Sequence, residues 1–447
     1  MGSGRGRYGE RVTTPAPGQL RVAVLTDDFY PDSGGVCRSI ELQVAELVRR
    51  GHHVTLISPH VNFTPPPHVD YLTVPTWRLP HTPSHLCSLR WSTRLARRLS
   101  RRFSFDVVHS QNERGSMLLA AKLARVQGIP HVHTFHSNYA GTHAAVPLGA
   151  ALVSVAFLPL VVRLLAGASG RAPVAVRRPP VDPGESSRFA AGDWMALARL
   201  ASCIDAFTSP APYVIDTIAA AAGTPTGARG RVVPSGVSGQ FVAAERRRGS
   251  DGPVRFLSCG RLSAEKRVDQ IVRAFNALDR DDVELVVAGG GPDEGQLRAL
   301  AKQGRPTQVT FTGHIGDVGE VAQTVADADV FVLASYRFDT QGMVLAEAAA
   351  AGTPILYCDD RLRVGVGPDN ALLVGPDVAD LAAGMRALAD DRERIAAMAA
   401  ASATLAPGLT TAAMGERYER VYRDAAARVA SETDGAARPD GTGAVRP

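Results

Sequence analysis

Two doubly wound, Rossmann-like α/β domains facing one another across a cleft are predicted for this chain by three observations. Its 447 residues exceed what one hydrophobic core normally organises, so two domains of roughly 200 residues each are expected. Near-continuous apolar runs, of the kind a parallel strand buried on both faces requires, alternate with helical stretches along both halves. A Gly/Arg/Ser stretch near 236–252 breaks this alternation and marks the boundary.

The first run is RVAVLTDD (21–28), followed by the loop FYPDSGGV and a helix with Ile40, Val44, Leu47 and Val48 on one face, closed by Gly51. HVTLISP (53–59) completes a βαβ unit with the pair Gly34–Gly35 after its first strand. Strands are then predicted at YLTV (71–74), FDVVHS (105–110), PHVHTFH (130–136) and DAFTSP (205–210). The second series comprises VRFLSCG (254–260), a helix bearing Val268, Ile271, Val272 and Phe275, VELVVAGGG (283–291), VTFTGHI (309–315), DVFVLAS (329–335) and PILYCDD (354–360). The domains are accordingly 20–240 and 253–410, with a last helix over 411–430. The arm 1–19 and the tail 431–447, rich in small and polar residues, read as disordered.

With 45% apolar and 21% charged residues the chain is globular, and its net charge of +5 is small for its length. Five scattered cysteines without a CxxC pair imply free thiols in a reducing compartment, and the first 19 residues lack the apolar region of a secretory signal. A cytoplasmic location is expected. Neither domain opens on GxGxxG with a ribose-binding acid about 20 residues on, which disfavours a nicotinamide oxidoreductase. The arginines have no aromatic platform or recognised module beside them, so no nucleic-acid partner is expected.

Ligands of such sheets bind beyond the carboxyl ends of the strands, which directs attention to the loops after residues 28, 136, 260, 289 and 335. In SYRFDTQGMVLAE (335–347) a strand runs through a glycine-containing loop into an Ala-rich helix. Its backbone N–H groups and dipole suit a diphosphate, while Asp339 can accept from sugar hydroxyls and Glu347 from a ribose. Taken alone, the two acids read equally as a surface Asp and a solvated helix Glu. SCGRLSAEKRVDQIV (258–272) aims Arg261 and Lys266 from a strand end, suited to neutralising a leaving diphosphate, or else forms a solvated basic turn paired through Glu265. DSGGV lets the backbone approach a phosphate at Gly34 and Gly35, but a tight turn explains the pair as well. HTFHSNY (133–139) puts His133 and His136 where an acceptor would bind, with no metal-ligand spacing.

Together these segments resemble the retaining glycosyltransferases of the GT-B fold, family 4, the glycogen-synthase-like group. The resemblance runs from about Arg21 to about Val429 and rests on GGV (34–36), PSGV (234–237), GRLSAEK (260–266), VVAGGGP (286–292), FTGHI (311–315) and DTQGMVLAEAAAAGTP (339–354). It implies that Arg261 and Lys266 contact the diphosphate and that Glu347 takes the ribose. Gly290, Gly313 and Ile315 would lie by the nucleoside. Gln341, Gly342, Met343 and Val344 would lie against diphosphate and sugar, with Gly34 and Gly35 closing from the other domain. Asp339 stands where the family's first glutamate normally contacts the donor sugar, a carboxylate one methylene shorter. His136, with Arg261, Lys266 and Asp339, would form the catalytic set, and His133, His136, Asn138 and Tyr139 the acceptor side. The implied reaction is metal-independent transfer from a nucleoside-diphosphate sugar, a co-substrate, with no cofactor and with retention of configuration.

The acceptor stays open between a membrane lipid and a soluble small molecule such as an aminocyclitol, a secondary metabolite or a sugar phosphate. A non-catalytic binding protein on the same scaffold is the third reading, weakened because Arg261, Lys266 and Glu347 are all present. Towards a lipid, TDDFYP (26–31), HTFHSNY and DTQG resemble variants found in glycolipid-forming members. RWSTRLARRLSRR (90–102) forms a candidate helix with Trp91, Leu95 and Leu99 on one face and six arginines around it. That helix suits the anionic inner face of a membrane or, more plainly, packs its leucines on the sheet. Residues 144–162 are uncharged for 19 positions, interrupted by Pro147 and Pro159, and read as a buried helix pair or pocket lid, an interfacial insertion, or a span. With the Pro/Arg/Gly stretch that follows, read as an exposed loop, residues 140–192 form an elaboration on the acceptor side.

Overall fold

The computed structural model describes residues 18–28, 34–59, 68–78, 87–145, 147–182, 185, 187–249, 251–304 and 306–436. The arm before residue 18, loop residues 29–33 and the end of the tail from 437 lie outside them. The strands are β1 (Arg21–Leu25), β2 (His53–Ser58), β3 (Val69–Thr73), β4 (Thr76–Arg78), β5 (Cys87–Leu89), β6 (Val107–Ser110), β7 (His131–Thr134), β8 (Ala206–Ser209) and β9 (Gly230–Val232) in the first half. The second half holds β10 (Val254–Cys259), β11 (Val283–Ala288), β12 (Val309–Gly313), β13 (Val330–Leu333), β14 (Ile355–Tyr357) and β15 (Ala371–Leu373). Two large sheets result, of order β3-β2-β1-β6-β7-β8-β9 and β12-β11-β10-β13-β14-β15, every pairing within them parallel, while β4 and β5 pair antiparallel as a separate two-stranded sheet.

Period-two alternation along each buried strand supplies both faces of its sheet. Val22 and Val24 enter one core with Ile40, Val44 and Leu47 of helix α1 (Gly35–Arg49), while Ala23 and Leu25 enter the opposite core with Leu119 and Leu123. Phe256 and Leu257 divide the second domain in the same way. In both sheets the strand order reverses beside the first strand, between β1 and β6 and between β10 and β13, and there the loops diverge to leave a crevice.

The other helices of the first domain that bear on the site are α2 (Thr93–Ser100), α3 (Gly115–Gln127), α4 (Tyr139–Ala145), α5 (Pro147–Leu152), α6 (Leu158–Ser169), α7 (Ala190–Ser202) and α8 (Pro212–Ala222). Leu99 and Ala96 of α2 are buried in the core under α3, with Trp91 and Leu95 packed against it, so the leucine face of the arginine helix lies on the domain.

Three expectations need correction. A π-helical turn, Val153–Phe157, joins α5 to α6, so residues 148–169 form one helix rather than a buried pair; the prolines are absorbed at the start of α5 and in the first turn of α6, where a missing N–H is tolerated. Only 28% of the most apolar 18-residue stretch of this helix is buried. The stretch after it is not simply an exposed loop, because Pro179 and Glu185 are buried and Asp182 and Glu185 bond to the second domain. Finally, the last helix runs over Thr411–Ala436, so 431–436 continue it. That helix packs against α1 on the first domain through Met414, Tyr418, Val421, Tyr422 and Ala425, a helical i, i+4, i+7, i+8, i+11 face. Burying Met414 and Val421 alone stabilises this docking by about 1.5–3 kcal/mol each.

Candidate active site

The carboxyl ends of β10, β11 and β12 form a cavity of about 400 Å³ lined by Cys259, Gly260, Arg261, Ala288, Gly289, Gly290, His314, Ile315 and Val321. Its floor exists because Gly289 has φ 129°, a conformation open to glycine, and because a Cβ there would lie 1.9 Å from the Gly260 carbonyl oxygen. Arg261, Gly290 and Ile315, expected from the sequence at the donor, line this cavity, and Gly313 precedes it with φ 72°. Arg261 is 68% exposed and pairs with Glu265 at 3.2 Å, the partner anticipated for it.

Beyond β13 the chain turns through Arg337–Gln341 to Gly342, whose φ of 68° makes it the left-handed N-cap of the helix Met343–Ala350. Met343, the first residue of that helix, stands by Gly35 of the first domain, since a Cβ on Gly35 would meet Met343 Sδ at 3.8 Å. Gly34, with φ 76°, caps α1 immediately before it. The two glycine turns of the two domains thus confront each other.

Lys266 reaches across from the short 3-10 turn Ala264–Lys266 and donates to Asp339 Oδ1 at 2.6 Å, with Asp339 Oδ2 buried and without a partner. Glu347, on the same helix as Met343 and Val344, is pushed up to about 7 by its burial, against the opposing charge of Arg38 from α1. Arg38 was not singled out in the sequence. Only its place one turn after the glycine pair hinted at it.

From the first domain, His136 Nε2 meets Gln111 Oε1 at 2.8 Å, which makes Nε2–H the donor and leaves Nδ1 as an acceptor. Burial lowers its pKa to about 4, with the charge of Glu113 opposing, so the ring is neutral at pH 7. Its carbonyl accepts from Thr340 Oγ1 at 2.6 Å, and Asn138 Nδ2 donates to the Arg337 carbonyl at 3.0 Å. Tyr139 donates to Glu113 Oε2, and Gln341 spans to the Ser235 backbone, accepting its N–H at 2.9 Å. His136, Asn138, Thr340 and Gln341 therefore stitch the two domains around the Asp339 loop. His133 does not join them. It is fully buried, bonded to Ser110 Oγ at 2.8 Å and 3.6 Å from Glu113, and it backs the cleft wall instead of facing an acceptor.

Further residues missed in the sequence surround the loop. Tyr213 donates to the Asp339 carbonyl at 3.3 Å, and Arg361 stacks over the Tyr213 ring at 4.7 Å. Arg337, at φ 56°, holds that left-handed conformation through Asp359, which accepts from both its N–H and its guanidinium, and it also pairs with Asp182. No motif pointed to Arg337 or Arg361, because their ties to the first domain, to Asp182, Glu185 and Tyr213, each span more than a hundred residues of chain. Among the described residues no group of three or more His, Cys, Asp or Glu side chains converges to hold a metal ion.

Two facing doubly wound domains with a glycine-rich pocket at the strand ends of the second define the GT-B class of glycosyltransferases. Residues 33–240 match the profile described as Glycosyltransferase Family 4, and residues 244–404 that of Glycosyl transferases group 1. D-inositol 3-phosphate glycosyltransferase 1 of Catenulispora acidiphila is 30% identical over 349 residues, 72% of each chain. Alpha-monoglucosyldiacylglycerol synthase of Streptococcus pneumoniae is 25% identical over 360 residues, 75% of this chain and 70% of that one. The crystal structure of Anabaena HepE in complex with UDP superposes with a TM-score of 0.62 over 91% of this chain and 100% of that one, at 13% identity, a likeness of fold. The chain belongs to glycosyltransferase family 4.

Proposed function

We propose that the protein moves a hexosyl group from a UDP- or GDP-linked sugar to a hydroxyl of a membrane lipid, retaining the anomeric configuration and using no metal ion. The observation that carries the donor half is the convergence of Lys266, Asp339, the Gly342 helix start and Glu347 at one crevice, opposite Gly35 and His136. The nucleoside takes the cavity by Gly289 and Ile315, its ribose diol donates to Glu347, and the diphosphate lies on the N–H groups after Gly342. As the sugar–oxygen bond breaks, Lys266, Arg261 and those N–H groups take up the charge developing on the leaving phosphate. The acceptor hydroxyl attacks the same face and its proton passes to the departing phosphate oxygen. Among the described residues no side chain is assigned the role of covalent nucleophile. His136, neutral at pH 7, serves as a hydrogen-bonding partner for a sugar hydroxyl, not as a general acid.

The lipid half is supported by the name of the streptococcal relative, which specifies a diacylglycerol product, and by the exposed arginines of α2. Such an enzyme would work in the cytoplasm, peripheral on the inner face of the membrane. A soluble acceptor is the second reading, favoured by the inositol-phosphate relative. The test is a matrix of UDP- and GDP-sugars against diacylglycerol, phosphatidylinositol and inositol phosphates, with chelator present and the product anomer read by NMR. Transfer to a lipid with retention is expected. Transfer confined to soluble acceptors, inversion, or loss of turnover with chelator each overturns the corresponding part.

A further inference from the structure

An exposed helix normally presents polar residues to water, and the helix Leu148–Ser169 does not. Its outward positions recur at helical spacing as Leu148, Leu152, Val155 and Leu160, which are 90%, 65%, 59% and 52% exposed, and no charge appears on this face before Arg163. Its opposite face is committed to the fold. Leu158 and Leu165 are fully buried against the core that α3 and α7 share. Burial of that face excludes a membrane crossing without dismantling the domain, yet the outer ridge, about 18 Å long at 1.5 Å per residue, is left without a partner.

The surroundings identify the partner by charge. Helices α2 and α6 both pack on α3, so they lie on one side of the sheet. Helices α2, α3, α5 and α6 contain no Asp or Glu, whereas Arg94, Arg97, Arg98, Arg125 and Arg163 are exposed on them. Trp77, 62% exposed beneath the Arg90 guanidinium, adds an aromatic with a polar rim in the hairpin leading to α2. An apolar ridge flanked by helices whose exposed charges are all cationic fits the boundary of an anionic bilayer, with arginines at the headgroups and leucines in the acyl region. A second copy of the chain would instead bring like charges together.

We propose that the Leu148–Leu160 ridge lies in the plane of an anionic lipid bilayer and, with the α2 arginines, docks the first domain on it. The purpose of this docking rests on the lipid-acceptor reading above; the contact itself does not. Helix α4 links the ridge directly to Asn138, where the two domains meet, so a bilayer at Leu148 borders the cleft and a lipid hydroxyl can enter without its chains leaving the membrane.

The test is flotation of the full chain with phosphatidylcholine vesicles, with and without phosphatidylglycerol, comparing wild type with Leu148→Gln/Leu152→Gln and with Arg94→Gln/Arg97→Gln/Arg98→Gln. Both side-chain sets are exposed, so unchanged melting temperatures are expected. Wild type should float with phosphatidylglycerol vesicles, and each variant should lose binding about tenfold or more. Unchanged flotation of the leucine variant, no flotation of the wild type, or a lipid-free dimer that the leucine variant abolishes would each overturn the proposal. Transfer assays separate the two readings. Flotation without transfer to any lipid rejects the acceptor reading and supports docking, whereas lipid transfer without flotation does the reverse.

Discussion

Lys266 Nζ lies 2.6 Å from Asp339 Oδ1, and the other oxygen of that carboxylate is buried without a hydrogen-bond partner. The ammonium is therefore held by a carboxylate at the position where a diphosphate would claim it, and the orphaned Oδ2 is aligned for a donor that the free protein does not supply. Asp339→Asn removes the competing charge while keeping the shape. Nucleoside-diphosphate affinity should be retained or rise severalfold, while kcat falls about 100-fold, the scale of losing one preorganised polar contact. Calorimetry and initial rates check this, and unimpaired transfer by the variant would remove Asp339 from the chemistry.

Glu347, with a pKa of about 7, is mostly protonated at pH 6 and mostly ionised at pH 8 in the free protein. A carboxylate accepts both ribose hydroxyls, whereas the protonated acid keeps a hydrogen that needs an acceptor of its own. Binding of a nucleotide sugar, which has no phosphate group titrating near neutrality, should therefore tighten between pH 6 and 8, and Glu347→Gln should flatten the profile. Because the folded pKa lies above the unfolded one for this acid, stability falls as pH rises from about 4.5 to 7. The Gln variant should consequently gain melting temperature over wild type at pH 8 and little at pH 5.

The motifs that were legible are local ones. Gly342, Glu347, Lys266 and the strand-end glycines act within a few residues of the turn or helix start that orients them, so their spacing carries their role. His136 and His133 look alike in HTFHSNY, two positions of one strand apart from the bend at its end. The strand end separates them, since His133 remains on β7 in the core while His136 lies past it. The short strands Gly230–Val232 and Ala371–Leu373 escaped notice because an edge strand needs few apolar residues. The ties made by Asp182 and Glu185 lie in a Pro/Arg-rich stretch whose composition indicates solvent, and their partners are fixed only by tertiary structure.

Glu185 makes the more buried of those ties. Its carboxylate pairs with Arg361 of the second domain and accepts from Trp194 Nε1 at 3.0 Å, with the two charged side chains 2% and 9% exposed. Arg361 keeps Asp359 at 3.3 Å when Glu185 is lost, so Glu185→Ala should cost less in chemical denaturation than the about 3–5 kcal/mol of a buried pair left wholly uncompensated. Glu185→Gln, which still accepts from either neighbour, should cost less. Since Arg361 stacks on Tyr213 and Tyr213 holds the Asp339 carbonyl, the Ala variant should also raise KM for the nucleotide sugar at temperatures where it remains folded. Equal stability of wild type and Ala variant would show that the tie does not hold the domains.

Gly141 sits where the two domains touch. Its N–H donates to Asn138 Oδ1, whose amide in turn donates to the Arg337 carbonyl, and a Cβ at 141 would stand 2.1 Å from that carbonyl oxygen and 2.4 Å from Asn138 Nδ2. Neither neighbour is the free end of a flexible chain, so Gly141→Ala must push the Arg337–Asp339 loop away from the first domain by an ångström or so. The donor groups Lys266 and Glu347 belong to the second domain and should be untouched. Nucleotide binding is therefore expected to survive, while transfer drops about 100-fold because the two substrates are no longer held at reacting distance. Small-angle scattering with nucleotide bound should show a larger radius of gyration than wild type. Wild-type transfer by Gly141→Ala would mean that the loop moves freely of this contact and that closure is governed elsewhere in the cleft.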